Sequence, residues 1–201
     1  MSFKASIVIV LGSILLGSCK KTNEDLNNRG VALAKEKKYK EAIRLYTKVI
    51  SRNGKIQLAY YDRGFCFIAL KSYSLALRDF NKVLSLQTVG DFIITENPNI
   101  PFAPEETRMQ VAYNDALYQR ARVKFYMDRL RSSFEDFQAL VNSEYEKSNC
   151  IAWQGTIWIR SDNKIKACEY FEKARQAASD EEDKQQTDEF IKTYCQNKNN
   201  R

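Results

Sequence analysis

The chain has 201 residues, 44% of them hydrophobic and 12% aromatic, with 32 basic and 25 acidic side chains giving a net charge of +7. That apolar content supports a packed core, and only three prolines and seven glycines exclude a disordered or turn-rich β chain, leaving a folded helical protein. No histidine occurs, which removes the usual general base at neutral pH and the commonest metal ligand, so neither an enzyme nor a bound metal or cofactor is expected.

The N-terminus reads as an address. Lys4 is the only charge before Cys19, and residues 5–16 are apolar apart from Ser6, Gly12 and Ser13. Such a stretch is too short for a bilayer core, which takes about 20 residues, and suits the apolar region of a secretory signal. It ends in Leu16, Gly17, Ser18 and Cys19, which resembles the lipobox of bacterial lipoproteins, where two small residues precede a cysteine that is acylated before the chain is cut. The resemblance implies a signal peptide over residues 1–18, lipidation of Cys19 and a short tether over residues 19–22. It also implies attachment to a membrane of the bacterial cell envelope, because two or three acyl chains anchor durably where one does not. Lys20, in place of the Asp that retains lipoproteins in the inner membrane under enteric-type sorting, points to the outer membrane. An ordinary signal peptide or an uncleaved apolar anchor is the alternative.

The next segments repeat. Gly30 and Gly64, Tyr39 and Tyr73, Ala42 and Ala76, Tyr46 and Phe80, and Val49 and Val83 share one period of 34 residues. Ala121 and Gly155, Ser133 and Ala167, Phe137 and Phe171, and Leu140 and Ala174 share it again further on. This pattern resembles the tetratricopeptide repeat, a 34-residue pair of antiparallel helices, A and B. Numbered from Asn23, Gln57, Asn114 and Ser148, the family's small residue at position 8 falls on Gly30, Gly64, Ala121 and Gly155. Its small residue at position 20 falls on Ala42, Ala76, Ser133 and Ala167, and its aromatic at position 24 on Tyr46, Phe80, Phe137 and Phe171. Small side chains let the two helix axes approach to roughly 8–10 Å, and the aromatic fills the space beside the crossing.

The implied fold is all-α: a right-handed superhelical solenoid with repeats over residues 23–56, 57–86, 104–147 and 148–179. Residues 180–196 form a capping helix, with acids in its first turn and a sparse apolar stripe of Phe190, Ile191, Tyr194 and Cys195, and residues 197–201 fray. Two departures stand out: the family's proline at position 32 is replaced by Gly54, Thr88, Tyr145 and Ser179, and position 11 of the third copy is Lys124.

Between copies two and three about 23 residues are inserted, since Gly64 and Ala121 lie 57 apart instead of 34. The loop over residues 87–103 carries Phe92, Ile93, Ile94, Ile100 and Phe102 and is expected to pack on the solenoid, over its concave face or over the open side of repeat two. Pro104 followed by Glu105 and Glu106 reads as a helix start that extends the third A helix backwards.

Resemblance to the family further implies that A-helix positions 2, 5, 9, 12 and 13 line a concave groove for a partner polypeptide. The candidate groove residues are Tyr61, Phe65, Ile68, Tyr118, Arg122, Phe125 and Arg160, with the two arginines placed to grip a carboxylate. The carboxylate clamp of chaperone-binding members wants Lys at position 5 and Asn at position 9 of the first copy; Asn27 and Val31 do not supply it. The expected function is a membrane-anchored protein-interaction adaptor in the envelope. The alternative is a surface lipoprotein that captures a glycan or small ligand with the aromatic groove.

Cys66, Cys150, Cys168 and Cys195 match no zinc spacing. Cys66, mid-helix, reads as a buried small apolar residue, and Cys168 and Cys195, on adjoining helices, are a pair that could bond and pin the cap. Positive and negative charges are interspersed along the chain; the anchor leaves contact with anionic lipid or another acidic surface open, and outside the cytoplasm nucleic acid is not an expected partner.

Overall fold

A computed structural model describes residues 21–86, 109 and 111–196. Among the described residues nine α-helices follow one another: α1 (Asn23–Lys35), α2 (Tyr39–Arg52), α3 (Gln57–Ala69), α4 (Tyr73–Ser85), α5 (Tyr113–Tyr126), α6 (Leu130–Asn142), α7 (Lys147–Arg160), α8 (Lys164–Ala177) and α9 (Glu181–Phe190). Among the described residues there is no strand, and no helix is long and apolar enough to cross a membrane. Helices pair as α1/α2, α3/α4, α5/α6 and α7/α8, and α2, α4 and α6 each pack on the first helix of the next pair, giving an all-α solenoid of four hairpins capped by α9.

Each hairpin closes around an aromatic ring. A Cβ built on Gly30 would come within 2.6 Å of Tyr46, one on Gly64 within 2.8 Å of Phe80 and one on Gly155 within 2.6 Å of Phe171. These rings have no room to yield, since Tyr46, Phe80, Phe137 and Phe171 are at most 1% exposed. Repeat three fits an alanine instead: Ala121 is fully buried beside Phe137, and the Ser133 hydroxyl donates to the Ala121 carbonyl at 2.8 Å.

The turn between paired helices recurs as well. Lys37, Lys71, Asp128 and Asp162 all adopt left-handed backbone, with φ of 60°, 55°, 60° and 57°. In every case the next residue donates its N–H five residues back (Lys38 to Leu33, Ser72 to Phe67, Arg129 to Lys124, Asn163 to Trp158), satisfying orphan carbonyls at the end of the first helix.

Polar locks reinforce two hairpins. Arg63 donates from Nε and Nη2 to Asp79 at 2.7 and 2.8 Å, and Arg120 binds Asp136 the same way at 2.9 and 2.7 Å. Arg63 Nη1 also reaches Thr47 on α2 at 3.0 Å, tying repeat one to repeat two. Lys124, the departure at position 11, pairs with Asp136 at 2.7 Å, so it shares with Arg120 a carboxylate already inside the hairpin. Tyr145, standing where the family has proline, donates its hydroxyl to Asp115 on α5.

The insertion loop over residues 87–103 and the proline–glutamate start at residues 104–106 lie outside the described residues, as do Cys19 and residues 197–201. The downstream end of the insertion is described, and it corrects the expected backward extension of the third A helix. Helix α5 begins at Tyr113 after an extended Ala112, so no continuous helix runs into it from residue 104. Ile56, the residue preceding α3, has no side-chain acceptor, and the Met109 carbonyl supplies one by accepting from Leu58 N–H at 2.9 Å. Gln57 Oε1 in turn accepts from Val111 N–H at 3.1 Å. Met109 is buried against Leu26, Val49, Ile56 and Ala59, so this end of the insertion seals the junction of α2 and α3.

Asp180 caps α9 by accepting from Asp183 N–H at 2.9 Å, with Glu181 and Glu182 beside the positive end of the helix. Phe190 and Tyr194 stack on Phe171 at 5.2 and 5.9 Å, and Ile191 is buried. The last turn, Ile191–Cys195, widens to π-helical form, and Cys195 is bonded to Cys168 of α8. Cys66 and Cys150 are buried free thiols.

Three outcomes follow for stability. Gly155→Ala gains about 1 kcal/mol of helix propensity and loses about 1–3 kcal/mol to overpacking against Phe171, so its urea midpoint falls. Gly54→Ala, whose nearest neighbours would lie 3.8 Å away, leaves the midpoint level or raises it. Cys195→Ser releases a loop of sequence separation 27, worth roughly 3–4 kcal/mol by chain entropy, so amide exchange in α9 accelerates by roughly several hundredfold while α1 to α4 are unaffected.

Candidate functional site

The A helices α1, α3, α5 and α7 meet along a polar seam. Asn27 on α1 donates from Nδ2 to Asp62 Oδ2 on α3 at 2.8 Å, and Trp153 on α7 donates from Nε1 to the Tyr118 hydroxyl on α5 at 2.9 Å. Both join position 5 of one repeat to position 6 of the next, and Tyr61 sits beside Gln119 in the same frame. The seam fixes how the groove-lining side chains sit.

Of the candidate groove residues, Phe65 is 37% exposed and Tyr61 and Ile68 are half-buried, with the Tyr61 ring edge-on to Phe65 at 4.9 Å and to Phe80 at 5.8 Å. Tyr118 is half-buried against Phe137. Arg122 is half-buried and held flat: its guanidinium lies over the Tyr118 and Trp153 rings at 5.8 and 5.7 Å, and Nη1 donates to Gln119 Oε1 at 3.0 Å. Its Nε is buried with no partner among the described residues. Arg160 is exposed, lies over Phe125 at 5.7 Å and pairs with Asp128 at 3.3 Å.

Phe125 is corrected by the structure. It is only 8% exposed, because Trp153 from the next repeat packs on it at 5.4 Å and Arg160 covers its face, so it supports the groove from beneath and does not line it. Tyr61, Phe65 and Ile68 gather on α3, while Tyr118, Arg122 and Arg160 gather with Trp153 across α5 and α7.

Sequence reasoning missed Asp62 and Trp153. Both stand at position 6, outside the five positions taken from the family, and the signal that finds them is the recurring offset of 35 between seam partners, Asn27 to Asp62 and Tyr118 to Trp153.

A cleft of about 420 Å³ opens between α1 and α3, walled by Val31, Ala34, Phe65 and Ile68 with Asp62 among its lining. Burial pushes the Asp62 carboxyl up to about 6, opposed in part by the hydrogen bond from Asn27. The Cys66 thiol beside it is pushed up to about 11 by burial and by the Asp62 charge, and burial with the same charge raises the Tyr46 hydroxyl. Among the described residues no group of three or more His, Cys, Asp or Glu is placed to hold a metal ion.

Asp62 makes a pH-dependent contribution of definite sign. Its carboxyl titrates higher in the folded than in the unfolded chain, so the folded state binds that proton more tightly and loses stability as pH rises from about 4 to about 6. Asp62→Asn keeps an acceptor for Asn27 and removes the charge, and it is expected to stabilise the protein by on the order of 2 kcal/mol at pH 8 and by less than half of that at pH 4. Urea midpoints of the two proteins at both pH values measure the difference.

The tetratricopeptide repeat family matches residues 26–56. No curated protein matches the chain by sequence. Among solved structures, MamA residues 41 to the end from Desulfovibrio magneticus RS-1 aligns with a TM-score of 0.60 at 22% identity, covering 79% of this chain and 76% of that one. A kinesin light chain of Podospora anserina with nearly identical TPR-like repeats aligns at 0.64 and 10% identity, covering 86% and 84%. The first TPR domain of Spaghetti (RPAP3), bound to the HSP90 peptide SRMEEVD, aligns at 0.51 and 20% identity, covering 70% and 95%. Residues 26–56 thus carry a tetratricopeptide repeat match, and the described chain adopts a tetratricopeptide-like all-α solenoid fold.

Proposed function

We propose that this chain is a lipid-anchored, non-catalytic adaptor of the bacterial cell envelope, held at the outer membrane through acylated Cys19 and binding a polypeptide partner along its A-helix face. The observation that carries the reading is the row of aromatic and cationic side chains presented there: Phe65 exposed, and Arg122 held flat between Tyr118 and Trp153 by cation–π contacts and a hydrogen bond to Gln119. Rigid aromatics and a preorganised guanidinium are the side chains that dominate protein interfaces. A solenoid of the same fold holds a peptide, the HSP90 segment in the Spaghetti domain, which supports a polypeptide occupant here. The occupant differs in chemistry, since Asn27 is buried in the seam and Val31 stands where that clamp wants asparagine.

Two features support export. The residues before Cys19 have the order of a lipoprotein signal, and the Cys168–Cys195 disulfide belongs to an oxidising compartment.

Expression of the full chain in a bacterial host with labelled palmitate tests the anchor. The wild type is expected to take up label and sediment with outer membranes, and Cys19→Ser to lose both; label retained by Cys19→Ser contradicts it. Affinity capture from native membranes tests the adaptor: the Phe65→Ala, Arg122→Ala double variant should lose at least tenfold of a co-purifying protein that the wild type retains. Equal recovery by both proteins rejects the groove as its binding surface.

A further inference from the structure

The carboxylates drawn deepest into the helix packing are matched by cations. Asp79 is 1% exposed and receives two hydrogen bonds from Arg63, and Asp136 is 7% exposed and receives two from Arg120 with Lys124 alongside. Asp62 departs from this rule. It lies half-buried in the wall of the α1/α3 cleft, and its hydrogen bond comes from a neutral amide, Asn27 Nδ2 to Oδ2. Lys35 lines the same cleft without pairing to it.

Asn27 adds a second surplus acceptor. Its side chain is 1% exposed, and its Oδ1 is buried with no partner among the described residues. With Nδ2 committed to Asp62, flipping the amide would set oxygen against carboxylate, so the seam cannot satisfy itself. The Asn27–Asp62 pair contains one charge and more acceptors than donors, and buried polar groups of that kind are costly unless something completes them.

The missing group is a cation with donors only. An ammonium has three donors and no acceptor and can sit on Oδ1 alone, whereas a guanidinium fork would have to share Oδ2 with the Asn27 amide, so the single free oxygen suits the ammonium better. The cleft walls suit the rest of such a side chain. Val31, Ala34 and Ile68 offer apolar surface for a methylene stem, and Phe65, 37% exposed, offers a ring face near the charge. A volume of about 420 Å³ is within the range of specific small-group pockets.

We propose that the α1/α3 cleft receives a lysine side chain of the polypeptide partner, with its ammonium seated on Asp62 Oδ1. This rests on the adaptor reading and gives the partner its chemistry: a lysine exposed between apolar neighbours. The position of Asp62 in this wall then has a reason, since a carboxylate left without its cation weakens the free protein and is completed on binding.

The test uses the full chain purified in detergent micelles, with amide NMR spectra of α1 and α3 followed during titration with acetyl-Ala-Lys-Ala-amide. Saturable shifts at Val31, Phe65 and Ile68 are expected, with a dissociation constant on the order of millimolar for so short a probe. The norleucine peptide should bind at least tenfold more weakly, and Asp62→Asn should abolish the lysine response while keeping a dispersed spectrum. Equal shifts from norleucine, or an unchanged response in Asp62→Asn, overturn the proposal. Putrescine binding as tightly as the peptide also overturns it, because the site would then serve free amines. Capture from native membranes separates this from the adaptor reading. If the Phe65→Ala, Arg122→Ala double variant loses the partner and Asp62→Asn keeps it, the adaptor stands and the lysine site falls. Loss of the partner by Asp62→Asn supports both.

Discussion

The contact on which the rest depends is the one between a residue with almost no side chain and an aromatic ring in the facing helix. Gly30 on Tyr46, Gly64 on Phe80 and Gly155 on Phe171 set how near the two helices of a hairpin can lie. The third repeat reaches the same end with Ala121 and Ser133, where a hydroxyl bonded to the facing carbonyl takes the place of bare backbone. Because the distance is repeated, the first helices of successive hairpins arrive side by side at a regular spacing. The groove is a consequence of that spacing and needs no separate instruction.

Polar groups then divide into two sets with different tasks. Inside the hairpins every buried carboxylate is matched by a cation: Arg63 with Asp79 is a closed pair, and Asp136 is held by both Arg120 and Lys124. Along the A-helix seam the pairs are neutral or incomplete: Trp153 with Tyr118, Asn27 with Asp62, and an Arg122 whose Nε is left over. Completed pairs lie inside the hairpins, and the incomplete ones lie between successive A helices.

Much of the fold was legible in the sequence because its cause is periodic. A small residue and an aromatic recurring at one interval leave the pattern of stacked, equal helical hairpins, and the acids of residues 181–183 announced the cap. What escaped had no such signature. The group that caps α3 is the backbone carbonyl of Met109, which every residue possesses. Phe125 occupies a groove position in the frame yet is covered by Trp153 from the next repeat, a contact that depends on how two hairpins stack. Asp62 and Trp153 were overlooked because position 6 faces the neighbouring A helix, which a single repeat read alone does not contain. Spacing left the Cys168–Cys195 bond open, because a π-helical last turn carries Cys195 and helical periodicity does not foresee it.

The direct test of the central contact is a double-mutant cycle on Gly64 and Phe80, read by urea unfolding. With Phe80 in place, Gly64→Ala should cost about 1–2 kcal/mol, since its Cβ would lie 2.8 Å from that ring. In a Phe80→Leu background the same change should cost less than about 0.5 kcal/mol or be favourable, because the flexible side chain yields and the helix gains an alanine. A coupling of at least about 0.5 kcal/mol is the expected result. Costs that simply add would mean that the glycine is not there for the ring, and the account of how these hairpins close would be wrong.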